Sequence, residues 1–252
     1  MTVRRVPAIP RGVKITKTRN GLRLTQHGVV ISELRITAGP THSIFDVLSV
    51  LITLLNPPGG RVGLLGFAGG GMLAPLVALG NDTTIEAVDL DRASYALFRK
   101  HCPTWRNRVQ WAHSDALAWL KKQGAPFDLL VEDLSIPQEG SVGKPVISWR
   151  ELPLMIRRRL KPGGVAVFNL LPPSPGRWNP ELKRLAGLYP SALLIHLQEF
   201  ENRILVGGNS LPSARELGNA ARTALERIGS QQAGRLRFEQ LPGRGLRSLL
   251  HH

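Results

Sequence analysis

One cysteine, Cys102, stands in 252 residues, so no intrachain disulfide can form and no thiolate cluster can hold a metal; no metal site is expected. Long apolar runs are also missing. A membrane span needs roughly 18 uninterrupted apolar residues, and the best candidate, "IFDVLSVLITLL", is short and carries Asp46. No membrane partner is expected, and the reading is a cytoplasmic protein. Acid is scarce: 18 Asp and Glu against 33 Lys and Arg leave a net charge of +15. No acid precedes Glu33, whereas Arg4, Arg5, Arg11, Lys14, Lys17, Arg19 and Arg23 do. Pro7 and Pro10 interrupt any amphipathic targeting helix, and no apolar signal core is present, so this segment is read as mature chain. The basic excess favours a polyanionic partner such as nucleic acid, against the plainer reading of a solvated surface. "RRR" at 157 to 159, Arg235, Arg237, Arg244 and Arg247 spread that charge along the chain.

Two rhythms follow. Residues 22 to 36, "LRLTQHGVVISELRI", alternate apolar and polar around His27 and Gly28, which predicts an antiparallel hairpin. After the helix-like "THSIFDVLSVLITLL" and "NPPGG", short apolar runs alternate with helical patterns, as in a parallel sheet with crossover helices. Strands are predicted at 62–66, 83–89, 109–113, 127–133, 164–170 and 192–198. Helices are predicted near 71–80, 92–101, 115–122, 148–160 and 180–188. "NRILVGG" follows too soon for a crossover, so the last two strands should pair antiparallel. "SARELGNAARTALERI" predicts a helix with a capping box at Ser213 and Glu216. The domain reading is a basic N-terminal β region (1–40), a Rossmann-like domain (41–228) and a basic, loose C-terminal tail (229–252).

"GFAGGGML" puts four glycines between residues 66 and 71, after a strand and before a helix. That arrangement lets a ligand approach bare backbone at the carboxyl edge of the sheet. Three acids end successive strands. Asp89, eighteen residues beyond Gly71, is placed to accept from a ribose diol. Asp115 can accept from an adenine amine while Ala116 offers a backbone N–H, with helix capping as the rival role for Asp115. Asp133 faces the same crevice. Glu132 beside it points the other way. His42, Trp149 and Trp178 are read as a helix cap and packing, with an acceptor pocket as the alternative.

The stretches "RVGLLGFAGGG", "IEAVDLD", "HSDALAWL", "FDLLVEDLSIP", "RRRLKPGGVAVFNL" and "ENRILVGG", over roughly 40 to 210, resemble class I S-adenosylmethionine-dependent methyltransferases, in particular their spermidine-synthase-like branch. The resemblance implies a Rossmann-like α/β fold: a seven-stranded, mostly parallel sheet with the last strand antiparallel, preceded by a small N-terminal β hairpin region. It implies S-adenosylmethionine, or its decarboxylated form, held by Gly66, Ala68, Gly69 and Gly70, by Asp89 and Leu90 at the ribose, and by Asp115 and Ala116 at the adenine. It also implies a homodimer built through the hairpin. Spermidine synthases resemble "GGGDGG" and "DSTDP" where this chain has "GFAGGG" and "DLSIP". Gly69 and Ile136 thus replace two amine-binding aspartates, and Asp133 is left as the catalytic acid.

Aminopropyl transfer needs several carboxylates for a polycation and one as base; methyl transfer needs mainly alignment of a nucleophile. The reading is therefore a methyltransferase with a small-molecule or macromolecular acceptor. An aminopropyltransferase and a non-catalytic nucleoside- or nucleic-acid-binding scaffold are the alternatives. A nicotinamide dinucleotide enzyme fits less well, because Ala68 takes the middle glycine's place and Asp115 goes unexplained. "NLLPP" at 169 to 173 is read as a rigid loop.

Overall fold

The computed structural model describes residues 13–19, 21–26, 28–138, 141–174 and 176–243. Arg4, Arg5, Arg11, His27, Arg244 and Arg247, named above, lie outside the described residues. The alternating N-terminal segment forms an antiparallel sheet of β1 (Val13–Thr18), β2 (Gly21–Gln26) and β3 (Val29–Arg35), in that order. The expected hairpin is thus two strands of three. Its inward side chains, Leu24 and Leu34, are fully buried.

Helix α1 (Ile44–Leu55) follows, capped by the Ser43 hydroxyl and stopped at Asn56 before the Pro57-Pro58 pair. Nine of its twelve residues are buried, so its polar side chains need internal partners. Ser49 Oγ donates to the Phe45 carbonyl at 2.6 Å. The Asp46 carboxylate, fully buried, accepts from Thr41 N and Oγ1 (both 2.7 Å), His42 N (2.9 Å) and Ser230 Oγ (2.6 Å). Those four donors stand in for a counter-ion and tie the start of α1 to a segment 184 residues away.

The main sheet is built from β4 (Val62–Leu65), β5 (Ile85–Asp89), β6 (Val109–His113), β7 (Phe127–Glu132), β10 (Leu160–Leu170), β11 (Ser191–Leu197), β12 (Arg203–Gly208) and β13 (Leu236–Leu241). Between them run α2 (Leu73–Ala78), α3 (Arg92–His101), α4 (Ala116–Lys122), a small hairpin of β8 (Ile136–Gln138) and β9 (Ser141–Gly143), α5 (Val146–Trp149), α6 (Glu151–Arg158), α7 (Trp178–Ala186) and α8 (Ala214–Arg227). The strand order is β13-β11-β12-β10-β7-β4-β5-β6. Strands β10, β7, β4, β5 and β6 are parallel, and β12, β11 and β13 continue antiparallel. Because the chain winds outward one way from β4 through β5 and β6 and the other way through β7 and β10, a crevice opens beyond the carboxyl ends of β4 and β7.

Two apolar layers enclose the sheet. One packs Val62, Leu64, Leu129 and Val167 against α1, α2, α3 and the N-terminal sheet. The other packs Leu65, Leu130, Ala166 and Phe168 against α4, α5, α6 and α7. Two local expectations need correction. The segment after 229, expected to be loose, supplies β13, an eighth strand paired with β11 from Ala192 opposite Leu241 to Leu197 opposite Leu236. The helix expected over 148–160 is two, α5 and α6, broken at Arg150 (φ −121°, ψ −81°). Among the described residues no helix is long and apolar enough to cross a membrane, and no group of three His, Cys, Asp or Glu could hold a metal.

Replacing Asp46 by alanine removes the acceptor of four hydrogen bonds, three of them from buried donors. Each hydrogen bond to a charged group contributes about 1.5–3 kcal/mol, so urea denaturation of Asp46→Ala should show a loss of at least about 3 kcal/mol.

Candidate functional site

The glycine loop is shaped by what touches it. β4 ends at Leu65, and Gly66 turns at φ +92°, where a Cβ would fall 2.5 Å from the Asp133 carbonyl oxygen. Ala68 lies in the left-handed region at φ +44°, which costs an L residue roughly 1–2 kcal/mol. The offset is visible: Asp89 Oδ2 accepts from both Phe67 N and Ala68 N at 2.7 Å, while Oδ1 accepts from Asp91 N at 2.8 Å. Gly69 N donates to Ser32 Oγ at 3.1 Å, and a Cβ there would meet Leu34 Cδ1 at 2.5 Å. A Cβ on Gly70 would meet the Phe67 ring, and one on Gly71 the Phe45 ring. The glycines therefore admit the protein's own packing: β3 docks on Gly69 and α1 on Gly71.

A cavity of about 900 Å³ opens beyond the strand ends. Gly66, Phe67, Ala68, Asp89, Leu90 and Asp91 form one end. Leu90 is 67% exposed, an apolar surface beside a carboxylate. Asp133 and Asn169, from the ends of β7 and β10, form the middle. Val30, Ile31 and Glu33 of β3, His42, and the hairpin residues Ile136 and Val142 also line the cavity.

Asn169 Nδ2 donates to Asp133 Oδ1 at 2.6 Å, and Asn202 Nδ2 donates to Asn169 Oδ1 at 2.9 Å. Burial pushes the Asp133 carboxyl up to about 6, against the opposing pull of Lys144 and the Asn169 hydrogen bond. Glu132, one residue earlier, points into the opposite layer. There it is fully buried, paired with Lys144 Nζ at 2.7 Å and accepting from Ser148 Oγ at 2.9 Å. That ion pair also holds the segment after β7, because Lys144 Nζ donates to the Leu134 carbonyl at 2.7 Å.

The other expected site residues fall differently. Gly69 and Gly70 do not line the cavity. Asp115 is exposed and accepts from Ala118 N at 2.9 Å as the N-cap of α4; neither it nor the buried Ala116 lines the cavity. The capping alternative describes Asp115 as it stands. Ser43, rather than His42, caps α1. His42 sits at φ +59° with its N–H on Asp46, its carbonyl on Gln232 Nε2 and its Nδ1 accepting from Gln231 N. Trp149 is buried against Trp178.

No family model matches the sequence, and no curated protein matches it. Solved structures match its fold. A probable spermidine synthase from Corynebacterium glutamicum aligns over 95% of this chain and 90% of its own, with 16% identity and a TM-score of 0.67. A spermidine synthase in complex with the transition-state analogue AdoDATO aligns over 87% and 76%, with 12% identity and a TM-score of 0.62. Human methyltransferase-like protein 13 in complex with SAH aligns over 73% and 89%, with 18% identity and a TM-score of 0.51. The fold is the one that spermidine synthases and class I methyltransferases share.

Within this methyltransferase-type fold several site residues escaped the sequence reading. Asn169 carried a signal, as a lone amide in the apolar run "VAVFNLL". Ser32, Gln231 and Asn202 carried none, since each acts through contacts remote in sequence.

Two measurements check this geometry. The Asp133 carboxyl holds its proton more tightly when folded, so its contribution is favourable below the ordinary value of 3.8 and is lost as pH rises through about 6. Asp133→Asn should accordingly gain stability relative to the wild type across that window and no further above it, as read by urea denaturation at a series of pH values. Lys144→Met should cost about 3–5 kcal/mol by leaving Glu132 buried and unpaired, and Glu132→Gln in the same chain should restore most of that.

Proposed function

We propose that the chain is an S-adenosylmethionine-dependent transferase and that the group it moves is a methyl. The carrying observation is the end of the cavity at Asp89 and Leu90. Asp89 fixes the loop with three backbone donors, and its two oxygens retain acceptor capacity for one more, enough for a ribose hydroxyl. Leu90 presents an exposed apolar side chain against which a purine face can lie. The residues present fit an adenosyl group at that end, and a volume of about 900 Å³ leaves room for an acceptor beyond it.

The donor supplies a sulfonium whose methyl carbon is electrophilic; the protein's task is alignment and exclusion of water. Asp89 and Leu90 orient the nucleoside end. Phe45, Ile136 and Leu171 supply apolar wall to the remainder. Asp133 accepts a hydrogen bond from Asn169, and its carboxyl, pushed up to about 6 by burial, is suited to accept the proton an acceptor loses.

Methyl transfer is favoured over aminopropyl transfer by the charge of the acceptor side. Gly69 is turned into the N-terminal sheet, and Ile136, 41% exposed, gives that wall an apolar side chain. Glu33 is occupied by Arg23 at 2.7 Å. Asp89 and Asp91, the other carboxylates lining the cavity, are engaged by backbone donors. The higher TM-scores to spermidine synthases favour aminopropyl transfer as the second reading.

Titration calorimetry tests both. S-adenosylmethionine and S-adenosylhomocysteine should bind more tightly than decarboxylated S-adenosylmethionine, and Asp89→Ala should weaken that binding by about tenfold or more. Preference for the decarboxylated donor with turnover of putrescine would establish the second reading instead.

A further inference from the structure

A second pocket, of about 330 Å³, adjoins the cavity and shares Phe200 and Asn202 with it. Two facing residues, Arg203 and His196, line it and belong to a row that crosses four strands. Leu170 of β10 stands opposite Arg203 of β12, Arg203 opposite His196 of β11, and His196 opposite Arg237 of β13. The nearby carboxylate, Glu239, is already shared by His196 at 2.8 Å and Arg237 at 3.4 Å.

Arg203 is left over. Its guanidinium lies 4.4 Å above the Trp178 ring and, among the described residues, has no hydrogen-bond acceptor and no direct ion pair; Glu239 attracts it and Arg237 repels it only at longer range. Trp178 is itself braced edge-on by the buried Trp149, ring centroids 6.3 Å apart. A guanidinium stacked on a fixed ring keeps its planar fork of donors aimed in one direction and has little hydration to lose. That is the geometry of a carboxylate or phosphate receptor. Glu201, the pocket's one other free charge, is exposed to solvent, where screening weakens its opposition.

The pocket leads back to the chemistry. Asn202, next to Arg203, donates to Asn169, which donates to Asp133. We infer that the acceptor carries an anionic group, a carboxylate or a phosphate, which Arg203 binds over Trp178 while the reacting atom reaches Asp133 past Asn202. Such an acceptor is opposite in charge to a polyamine. The inference rests on the transferase reading and names its substrate class.

Benzoate, phenyl phosphate and benzylamine share a ring and differ in charge, and serve as probes in an NMR titration of the full chain, followed at the indole N–H of Trp178. One or both anions should bind and benzylamine should not; which anion binds identifies the group. Arg203→Gln should weaken that binding by about tenfold or more, with Arg203→Lys between it and the wild type. Affinity for S-adenosylhomocysteine should be unchanged in both variants, which also shows that they are folded. Benzylamine binding as well as the anions, or anion binding indifferent to Arg203, overturns the inference, as does absence of anion binding at millimolar concentration. Each of these leaves the transferase reading standing if S-adenosylhomocysteine binds, whereas failure of S-adenosylhomocysteine to bind the wild type removes that reading itself.

Discussion

A single carboxylate closes the functional end of this molecule. Asp89 leaves β5 and receives the N–H groups of Phe67 and Ala68, so the turn after β4 is locked to the strand beside it. That bond offsets the left-handed backbone at Ala68 and fixes where Gly69 and Gly71 fall, and therefore where β3 and α1 can dock. Asp89 and Leu90, next to each other at the end of β5, both line the cavity. A residue read from the sequence as a ligand contact is the keystone of the loop.

Elsewhere buried charge is neutralised in two different ways. Asp46 relies on four neutral donors, which couple α1 to Ser230 near the end of the described chain. Glu132 relies on Lys144, which couples the end of β7 to the segment carrying the β8–β9 hairpin. Asp133 has a single amide donor, and burial raises its pKa accordingly. Asp46 and Glu132 tie segments of the chain together, whereas Asp133 lines the cavity.

The alternation of short apolar runs with amphipathic helices made the parallel sheet legible, because strands buried on both faces and helices buried on one follow different periods. Asp89, Leu90 and Asp133 were legible for a related reason: strand ends at a switch in winding direction face the crevice whatever the side chain. Asp115 was left with two roles because an acid before a helix satisfies a capping pattern as readily as a ligand pattern, and the structure shows the cap. β13 escaped because its alternation, Leu236 and Phe238 around Arg237, is too short to set a period by itself. The purpose of Gly69 escaped as well. Its reason is Leu34, thirty-five residues earlier, and no local pattern encodes that contact.

The account stands or falls on what lies against Asp89. A crystal structure of the chain with S-adenosylhomocysteine should show a ribose hydroxyl on the Asp89 carboxylate and the purine over Leu90, with the homocysteine chain directed toward Asp133. Density for the nucleoside elsewhere, or a cavity holding only solvent at saturating ligand, would contradict it.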